Sequence, residues 1–294
     1  MGDWYEAAVE RLKLLYDILR KQILQSEYIH VDESTVPVID NEKHKTRKGY
    51  EWYVLDGLSG DVMFYYDRGS RAANVARELL GGYKGNVQTD GYAAYDHRRE
   101  VRNHPARMLG PSAPQVRRSA GHGQKTRHRG NHLYQQTVQG GVGGGRGKTH
   151  CEQRKEKRVK ESYSVILVFE KCMKDTYPTV LPKSRTGQAI EYAFALLPRL
   201  SRYVNDGRIS IDNNPVERAI RPLALRRKNW LFCGNDASAY RAAIVYSLIG
   251  TCKNAGIEPS VWMEDVLKQI PYYLRDGCDL AQLLPRAWAS QNQL

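Results

Sequence analysis

Hydrophobic side chains near the start of the chain recur at a helical spacing and then give way to strand-like runs. Within residues 4–27 the apolar positions fall three or four residues apart, which predicts an amphipathic helix. These positions are Leu12, Leu15, Tyr16, Leu19 and Ile23. The run that starts at Tyr28 predicts a strand that ends near Asp32.

Two more strands are predicted over 50–55 and 62–66, because β-branched and aromatic residues dominate both runs and turn residues separate them. A helix is predicted over 70–80, and a short strand over 86–89 runs into Asp90. Three strands, a helix and a further strand predict a mixed α/β sheet.

The second half of the chain is predicted to be mostly helical, because its apolar residues follow a helical period in several stretches. The predicted helices cover 154–175, 187–205, 212–221, 238–254 and 259–270. Between the two halves, 98–152 shows neither helical nor strand periodicity and holds ten glycines between positions 110 and 147. This composition predicts a disordered insert rich in Gly and Arg.

The charge of the chain is concentrated in the same insert. The 294 residues carry a net charge of +13, and residues 98–150 contribute eleven Lys or Arg against Glu100 alone. An excess of this kind is typical of nucleic-acid-binding proteins. A second, shorter basic run, Lys43 to Lys48, is predicted to form a turn.

No apolar stretch is long enough to span a membrane and no secretory signal is evident, so a cytoplasmic protein with reduced cysteines is expected.

Three acidic residues form a candidate metal site. Asp32 and Asp90 are predicted at the ends of neighbouring strands, and Glu217 lies on a predicted helix. Divalent ions that serve phosphoryl transfer need carboxylates converging from different elements. Each acid also has a simpler explanation: Asp32 as a strand terminus, Asp90 as half of an Asp-Gly turn, and Glu217 as part of a capping box after Asn214.

Three segments decide between these alternatives. They are YIHVDESTVPV at 28–38, VQTDGYAAYD at 87–96 and IDNNPVERAIRPLALRRKNWLFCG at 211–234. Together they resemble the DDE transposases of the insertion-sequence-sixty-six family, and the similarity extends in order over 1–97 and about 154–294. The end of the chain, YSLIGTCKNAGIEP…LLPRAW, is also similar to the closing segment of that family.

The resemblance implies a ribonuclease-H-like fold in which Asp32, Asp90 and Glu217 are the catalytic metal ligands for two Mg²⁺ or Mn²⁺ ions. It implies DNA transposition by metal-dependent phosphodiester cleavage and strand transfer. DNA partners would be the ends of the element and the target, with a homo-oligomer and accessory transposition proteins expected. The basic residues near Glu217 are then expected to bind DNA phosphates; they are Arg218, Arg221, Arg226, Arg227 and Lys228.

Two departures from the family pattern bear on activity. The family usually has Cys-Trp-Ala-His-Ala-Arg-Arg-Lys-Phe after the second aspartate, where this chain has 108–117. Codons for these residues, read one nucleotide later, permit most of that motif, and the same offset at 131–139 permits the family's next helix. We interpret 98–152 as translated out of frame between two compensating indels, which predicts a degenerate, inactive copy. The N-terminal helical and zinc-binding modules of the family are also not recognised.

The predicted organisation is therefore a helical lead-in (1–27), the first half of the catalytic domain (28–97), the insert (98–152), the second half (153–250) and a C-terminal transposase segment (251–294). The alternative is a non-catalytic nucleic-acid-binding protein that uses the basic stretch 98–150.

Overall fold

A computed structural model describes residues 2–40, 43–89, 108–109, 148–210, 215–216, 218–219 and 233–292. The chain divides into two compact units. The first comprises Met1–Gly85, Ala94–Ala106 and Asn214–Leu294, and the second comprises Asn86–Ala93 and Arg107–Asn213. The N-terminal helix and the C-terminal segment thus belong to the same unit.

An antiparallel sheet forms the centre of the first unit. Its strands are β1 (Tyr28–Asp40), β2 (Lys45–Asp56) and β3 (Val62–Tyr65), with β2 between the other two. β1 and β2 pair over twelve consecutive positions, from Ile29 opposite Asp56 to Asp40 opposite Lys45. Because side chains alternate between faces, this unbroken register fixes the face of every residue in both strands.

One face of the sheet, here called the Val38 face, carries the main hydrophobic core. Val38 is fully buried, and its neighbours on this face include Tyr53 and Phe64, whose rings meet edge to face at 4.8 Å. Ala239 and Ala243 of helix α6 (Asp236–Asn254) pack in the same cluster. Burial of these apolar groups supplies the main driving force for folding of the unit.

The opposite face, here called the Trp52 face, is covered by helix α2 (Ala73–Leu79) and the loop before it. The Trp52 indole donates a hydrogen bond to the Ser70 carbonyl at 3.0 Å, and the Tyr65 hydroxyl bonds Glu78 at 3.1 Å. Both contacts place a polar tip at the border of a buried aromatic ring, which is the usual arrangement for Trp and Tyr in a core.

Helix α6 closes the free edge of β3. The Ser247 hydroxyl accepts a hydrogen bond from the Phe64 amide at 2.8 Å, and the Thr251 hydroxyl bonds both the amide and the carbonyl of Val62, at 3.1 and 3.2 Å. A Cβ at Gly250 would lie 2.6 Å from the Val62 side chain, so only glycine allows this approach. Hydroxyls one helical turn apart thereby satisfy a strand edge that would otherwise be unpaired.

The ends of the chain pack together in the first unit. Helix α1 (Gly2–Ile23) buries one stripe of side chains and contacts α6. The C-terminal elements are α7 (Pro259–Asp276), a 3₁₀ turn (Leu280–Leu283) and α8 (Pro285–Gln291). Trp262 donates to the Leu283 carbonyl at 3.0 Å, which ties α7 to the turn.

The second unit contains a parallel strand pair and helices. The strands are β4 (Asn86–Gln88) and β5 (Met108–Leu109). The helices are α3 (Lys148–Lys157), α4 (Tyr163–Thr176) and α5 (Arg185–Leu200), with a π turn at Arg158–Ser162 and 3₁₀ turns at Tyr177–Thr179 and Ser201–Val204. The buried Arg158 guanidinium donates to the carbonyls of Tyr203, Asp206 and Ile209, which fixes the turn after α5.

The mixed α/β class with a mostly helical second half is confirmed, and several boundaries are corrected. β1 continues to Asp40, well past the predicted end near Asp32. The predicted basic turn is wrong from Lys45 onward, because Lys45 to Lys48 pair in β2. Within the predicted insert, Met108–Leu109 form a strand and a helix already begins at Lys148; the rest of that segment lies outside the described residues. No helix among the described residues has the length and apolar character that crossing a membrane requires.

We expect Thr251→Val to lower the free energy of unfolding by about 1–3 kcal/mol, because the buried Val62 amide loses its acceptor while the side-chain shape is kept. Chemical denaturation of both proteins measures the difference. The control is Ser290→Ala, whose hydroxyl bonds a carbonyl on the exposed side of α8. An equal loss in the two variants would contradict the role assigned to the α6–β3 contact.

Candidate functional site

Asp32 lies in the middle of a strand. It is the fifth residue of β1, is half-buried, and stands directly opposite Tyr53 of β2. Its Oδ1 accepts a hydrogen bond from the Glu33 amide at 2.8 Å, which orients the carboxylate. The predicted strand-end position is therefore wrong, because the polar residues after Asp32 continue the ladder with β2. A central strand position holds this carboxylate more rigidly than a loop would.

Asp32 belongs to a polar patch beside the apolar cluster of the Val38 face. The unbroken register places His30, Ser34, Glu51 and Tyr53 on the same face as Asp32. Glu51 is only 7% exposed, and the Tyr53 hydroxyl donates to its Oε2 at 3.3 Å. Residues diagonal to each other across such a pair lie about 7–8 Å apart, so Asp32 and Glu51 are neighbouring carboxylates.

Glu51 was missed by the sequence analysis. The only available signal was alternation within the run Tyr50-Glu-Trp-Tyr-Val-Leu, which puts Glu51 on the same face as Tyr53. A lone acid in such a run is typical of a solvent-facing position, and its burial depends on what packs against the sheet.

Cys233 shows that Glu51 influences this face electrostatically. Its backbone lies beside β1, because its amide donates to the Pro37 carbonyl and its carbonyl accepts from the Ile39 amide, both at 2.8 Å. Burial raises the pKa of the Cys233 thiol, and the negative charge of Glu51 raises that pKa further. An acidic patch with oxygen ligands has the chemistry that suits a hard divalent cation.

The segment around position 217 packs on the same face. Pro215, Val216, Arg218 and Ala219 are helical, Val216 is fully buried, and Val216 and Ala219 both join the cluster around Val38 and Tyr53. Arg218 is exposed. Val216 and Ala219, which anchor this segment to the sheet, thus lie one and two residues from Glu217 in sequence.

The remaining predicted site residues lie outside the part of the chain that the structure describes. These are Asp90, Glu217, Arg221, Arg226, Arg227 and Lys228. The described residues bring together no group of three or more His, Cys, Asp or Glu side chains that could hold a metal ion. Of the three predicted ligands, Asp32 is the one whose surroundings are described.

Comparison with known families identifies the chain. The model of the Transposase IS66 family matches residues 1–241, and that of the IS66 C-terminal element matches residues 247–286. The chain belongs to the Transposase IS66 family. The predicted family is thereby confirmed, including a separate C-terminal segment.

Three relatives from Sinorhizobium fredii are similar to this IS66-family chain over nearly its whole length. The uncharacterized protein y4qI is 30% identical over 92% of the chain, y4jD is 29% identical over 98%, and y4hP is 25% identical over 98%. The chain spans between 52% and 59% of the length of these relatives.

We expect Val216→Ala to destabilise the first unit by about 2 kcal/mol, because it opens a cavity between the 215–219 segment and the sheet. The matched control is Val261→Ala on α7, where the valine is 54% exposed and little change is expected. Thermal denaturation of the two variants tests this. Equal melting temperatures would show that the segment is not anchored through Val216.

Proposed function

We propose that this chain carries the catalytic region of a DDE transposase with a ribonuclease-H-like fold. Asp32, Asp90 and Glu217 would be the three catalytic carboxylates. The observation that carries the proposal is the position of Asp32 in a polar patch of the Val38 face, on which Val216 and Ala219 also pack. Family membership supplies the expectation for Asp90 and Glu217.

The donor set around Asp32 fits a divalent metal. Asp32 and Glu51 are carboxylates on one face of a rigid strand pair, and Ser34 and Tyr53 add hydroxyl oxygens to the same face. Mg²⁺ and Mn²⁺ prefer such oxygen ligands. Two such ions, when bound, would act as Lewis acids on the attacking and leaving oxygens of a phosphodiester.

The protein's own contribution would be to hold carboxylates and DNA in register. The Glu33 amide fixes Asp32, and the buried Tyr53 hydroxyl restrains Glu51. Arg218 is exposed beside the anchored Val216 and would neutralise a DNA phosphate, with Arg221, Arg226, Arg227 and Lys228 as further candidates. Positioning of this kind governs the rate, because a displacement of about 1 Å can cost about 10²-fold.

The proposal includes the loss of activity in this copy. Residues 98–152 replace the segment that the family carries after the second aspartate, and their glycine and arginine content follows from an out-of-frame reading. The active family member would work in the cytoplasm on the ends of its element and on target DNA, as a homo-oligomer with accessory proteins.

The nucleotide sequence encoding residues 95–155 gives the first test. We expect the shifted frame to stay open and to encode Cys-Trp-Ala-His-x-Arg-Arg-Lys-Phe. A chain repaired with that translation should nick supercoiled DNA with Mg²⁺, whereas the present chain should not. Stop codons in the shifted frame, or equal nicking by both chains, would contradict the proposed degeneration and make the basic 98–150 stretch a DNA-binding candidate.

In the repaired chain, Asp32→Asn should reduce Mg²⁺-dependent nicking by about 10²-fold or more, because a neutral amide replaces a metal-binding carboxylate. Asp40→Asn is the matched control, since Asp40 ends the same strand on the same face and pairs only weakly with Lys43 at 3.8 Å. Nicking is followed by conversion of supercoiled to relaxed plasmid. Equal rates for the two variants would exclude Asp32 from the mechanism.

A further inference from the structure

Exposed cations lie at the outer end of the β1–β2 hairpin and are here called the basic ridge: Lys45 on the Val38 face, Lys48 on the Trp52 face, and Arg68 in the loop after β3. All three residues are exposed. Among the residues that the structure describes, none of the three has a carboxylate within ion-pair distance, in contrast to Lys43, Arg47 and Arg71. The charges of Lys45 and Lys48 are therefore available to an external anion.

The fold brings Arg68 to the hairpin from a separate part of the chain. The Tyr50 amide donates to the Gly69 carbonyl at 3.0 Å, so the loop after β3 runs alongside β2. Gly69 has φ +68°, and a Cβ there would lie 2.7 Å from the Cα of Gly49. Two glycines in contact thus allow the loop that carries Arg68 to approach β2.

The Arg47 side chain connects this loop to the start of α6. Its Nη1 donates to the Arg68 carbonyl at 3.1 Å, its Nη2 bonds the Tyr66 hydroxyl at 3.3 Å, and it forms an ion pair with Asp236 at the start of α6. Burial raises the pKa of Asp236, but hydrogen bonds from Tyr66 and Arg47 outweigh burial and keep that pKa below its usual range. Arg47 is thus paired within the protein, and the charge of Arg68 also lowers the pKa of Asp236, while Lys45 and Lys48 stay outside this network.

Arg68 adopts a conformation that is uncommon for arginine. Its φ is +47°, in the left-handed region. A non-glycine residue there costs about 1–3 kcal/mol and persists only where the surroundings impose it, which is more frequent at functional sites. The hydrogen bond from Arg47 to the Arg68 carbonyl provides such a restraint. The strain is explained if the arginine side chain at this position has a use.

An aromatic ring borders the ridge. The Lys48 ammonium lies 5.4 Å and the Arg71 guanidinium 5.3 Å from the centre of the Tyr50 ring. Arg71 is also held by the buried Glu33 carboxylate at 2.9 Å. The contact with Tyr50 limits the motion of Lys48, one of the three cations of the ridge.

We propose that the basic ridge is a second DNA-binding surface, which contacts the phosphate backbone of duplex DNA. The inference rests on the proposed function for the identity of the nucleic acid. A two-stranded β-ribbon is narrow enough to follow a DNA groove, and unpaired Lys and Arg side chains are the groups that neutralise phosphates. The ridge comes from other parts of the chain than the basic residues near Glu217, because it is built from β2 and the loop after β3.

Binding of a labelled DNA duplex tests this inference in EDTA, where no cleavage is needed. The full chain is compared with Lys45→Gln/Lys48→Gln/Arg68→Asn, where asparagine tolerates the positive φ. The slope of log K against log salt over about 50–200 mM KCl should become shallower by about 2–3, since each phosphate contact contributes about 0.9. Affinity at about 100 mM should fall at least about 10-fold.

The matched control is Lys21→Gln/Lys84→Gln/Lys253→Gln, which removes the same charge from exposed lysines elsewhere in the first unit. It should leave the slope nearly unchanged. An equal change in both variants, an unchanged slope in the ridge variant, or no duplex binding by the full chain would overturn the inference. A larger loss for single-stranded RNA than for duplex DNA would overturn the DNA assignment.

Two features separate this test from that of the proposed function. Binding in EDTA does not depend on Asp32. If the ridge variant has a shallower slope but Asp32→Asn nicks DNA as fast as its control, the ridge stands and the transposase chemistry is removed. An unchanged slope together with slower nicking by Asp32→Asn would remove the ridge and leave the transposase chemistry standing. If the triple variant does not fold, Lys45→Gln/Lys48→Gln keeps the Arg68 turn intact and should still change the slope by about 2.

Discussion

The continuous pairing of β1 with β2 is the constraint on which the other features of the first unit depend. Twelve residue pairs run from Ile29–Asp56 to Asp40–Lys45 without a bulge. A slip of one residue would turn Asp32 away from the Val38 face and move Val36 and Val38 out of the core. The apolar cluster under Val38 therefore fixes the orientation of the candidate catalytic carboxylate, so core packing and site geometry are one and the same requirement.

Helix α6 connects this strand pair to the C-terminal half of the chain. Its hydroxyls at Ser247 and Thr251 replace the missing strand neighbour of β3, and Gly250 permits the contact. At its other end the helix begins with Asp236, which pairs with Arg47 of β2. One helix thus stabilises the sheet edge and also restrains the hairpin end, so the IS66 C-terminal element contributes to the unit that holds Asp32.

Local patterns in the sequence predicted which helices and strands form more accurately than where those elements end. The helix at the N-terminus and the strands of the first sheet follow from period alone, whereas the extension of β1 beyond Asp32 does not. Ser34 and Thr35 are polar and Pro37 cannot donate a ladder hydrogen bond, so the run looks like a strand end. The burial of Glu51 and the approach of the loop at Gly69 to Gly49 depend on contacts between distant segments, which no local pattern contains.

The arrangement of charge along one strand pair gives the proposed function and the basic ridge a common geometric basis. Glu51 and Asp32 place negative charge near the middle of the hairpin on the Val38 face. Toward the outer end, Lys45 places positive charge on the same face and Lys48 on the opposite one. At about 3.4 Å per residue, Lys48 lies about 10 Å from Glu51 along β2, and Lys45 lies about 20 Å from it. A paired strand cannot change these separations without breaking its hydrogen bonds. A DNA backbone held at Lys45 would therefore meet the carboxylates of the same face at a distance set by the strand itself.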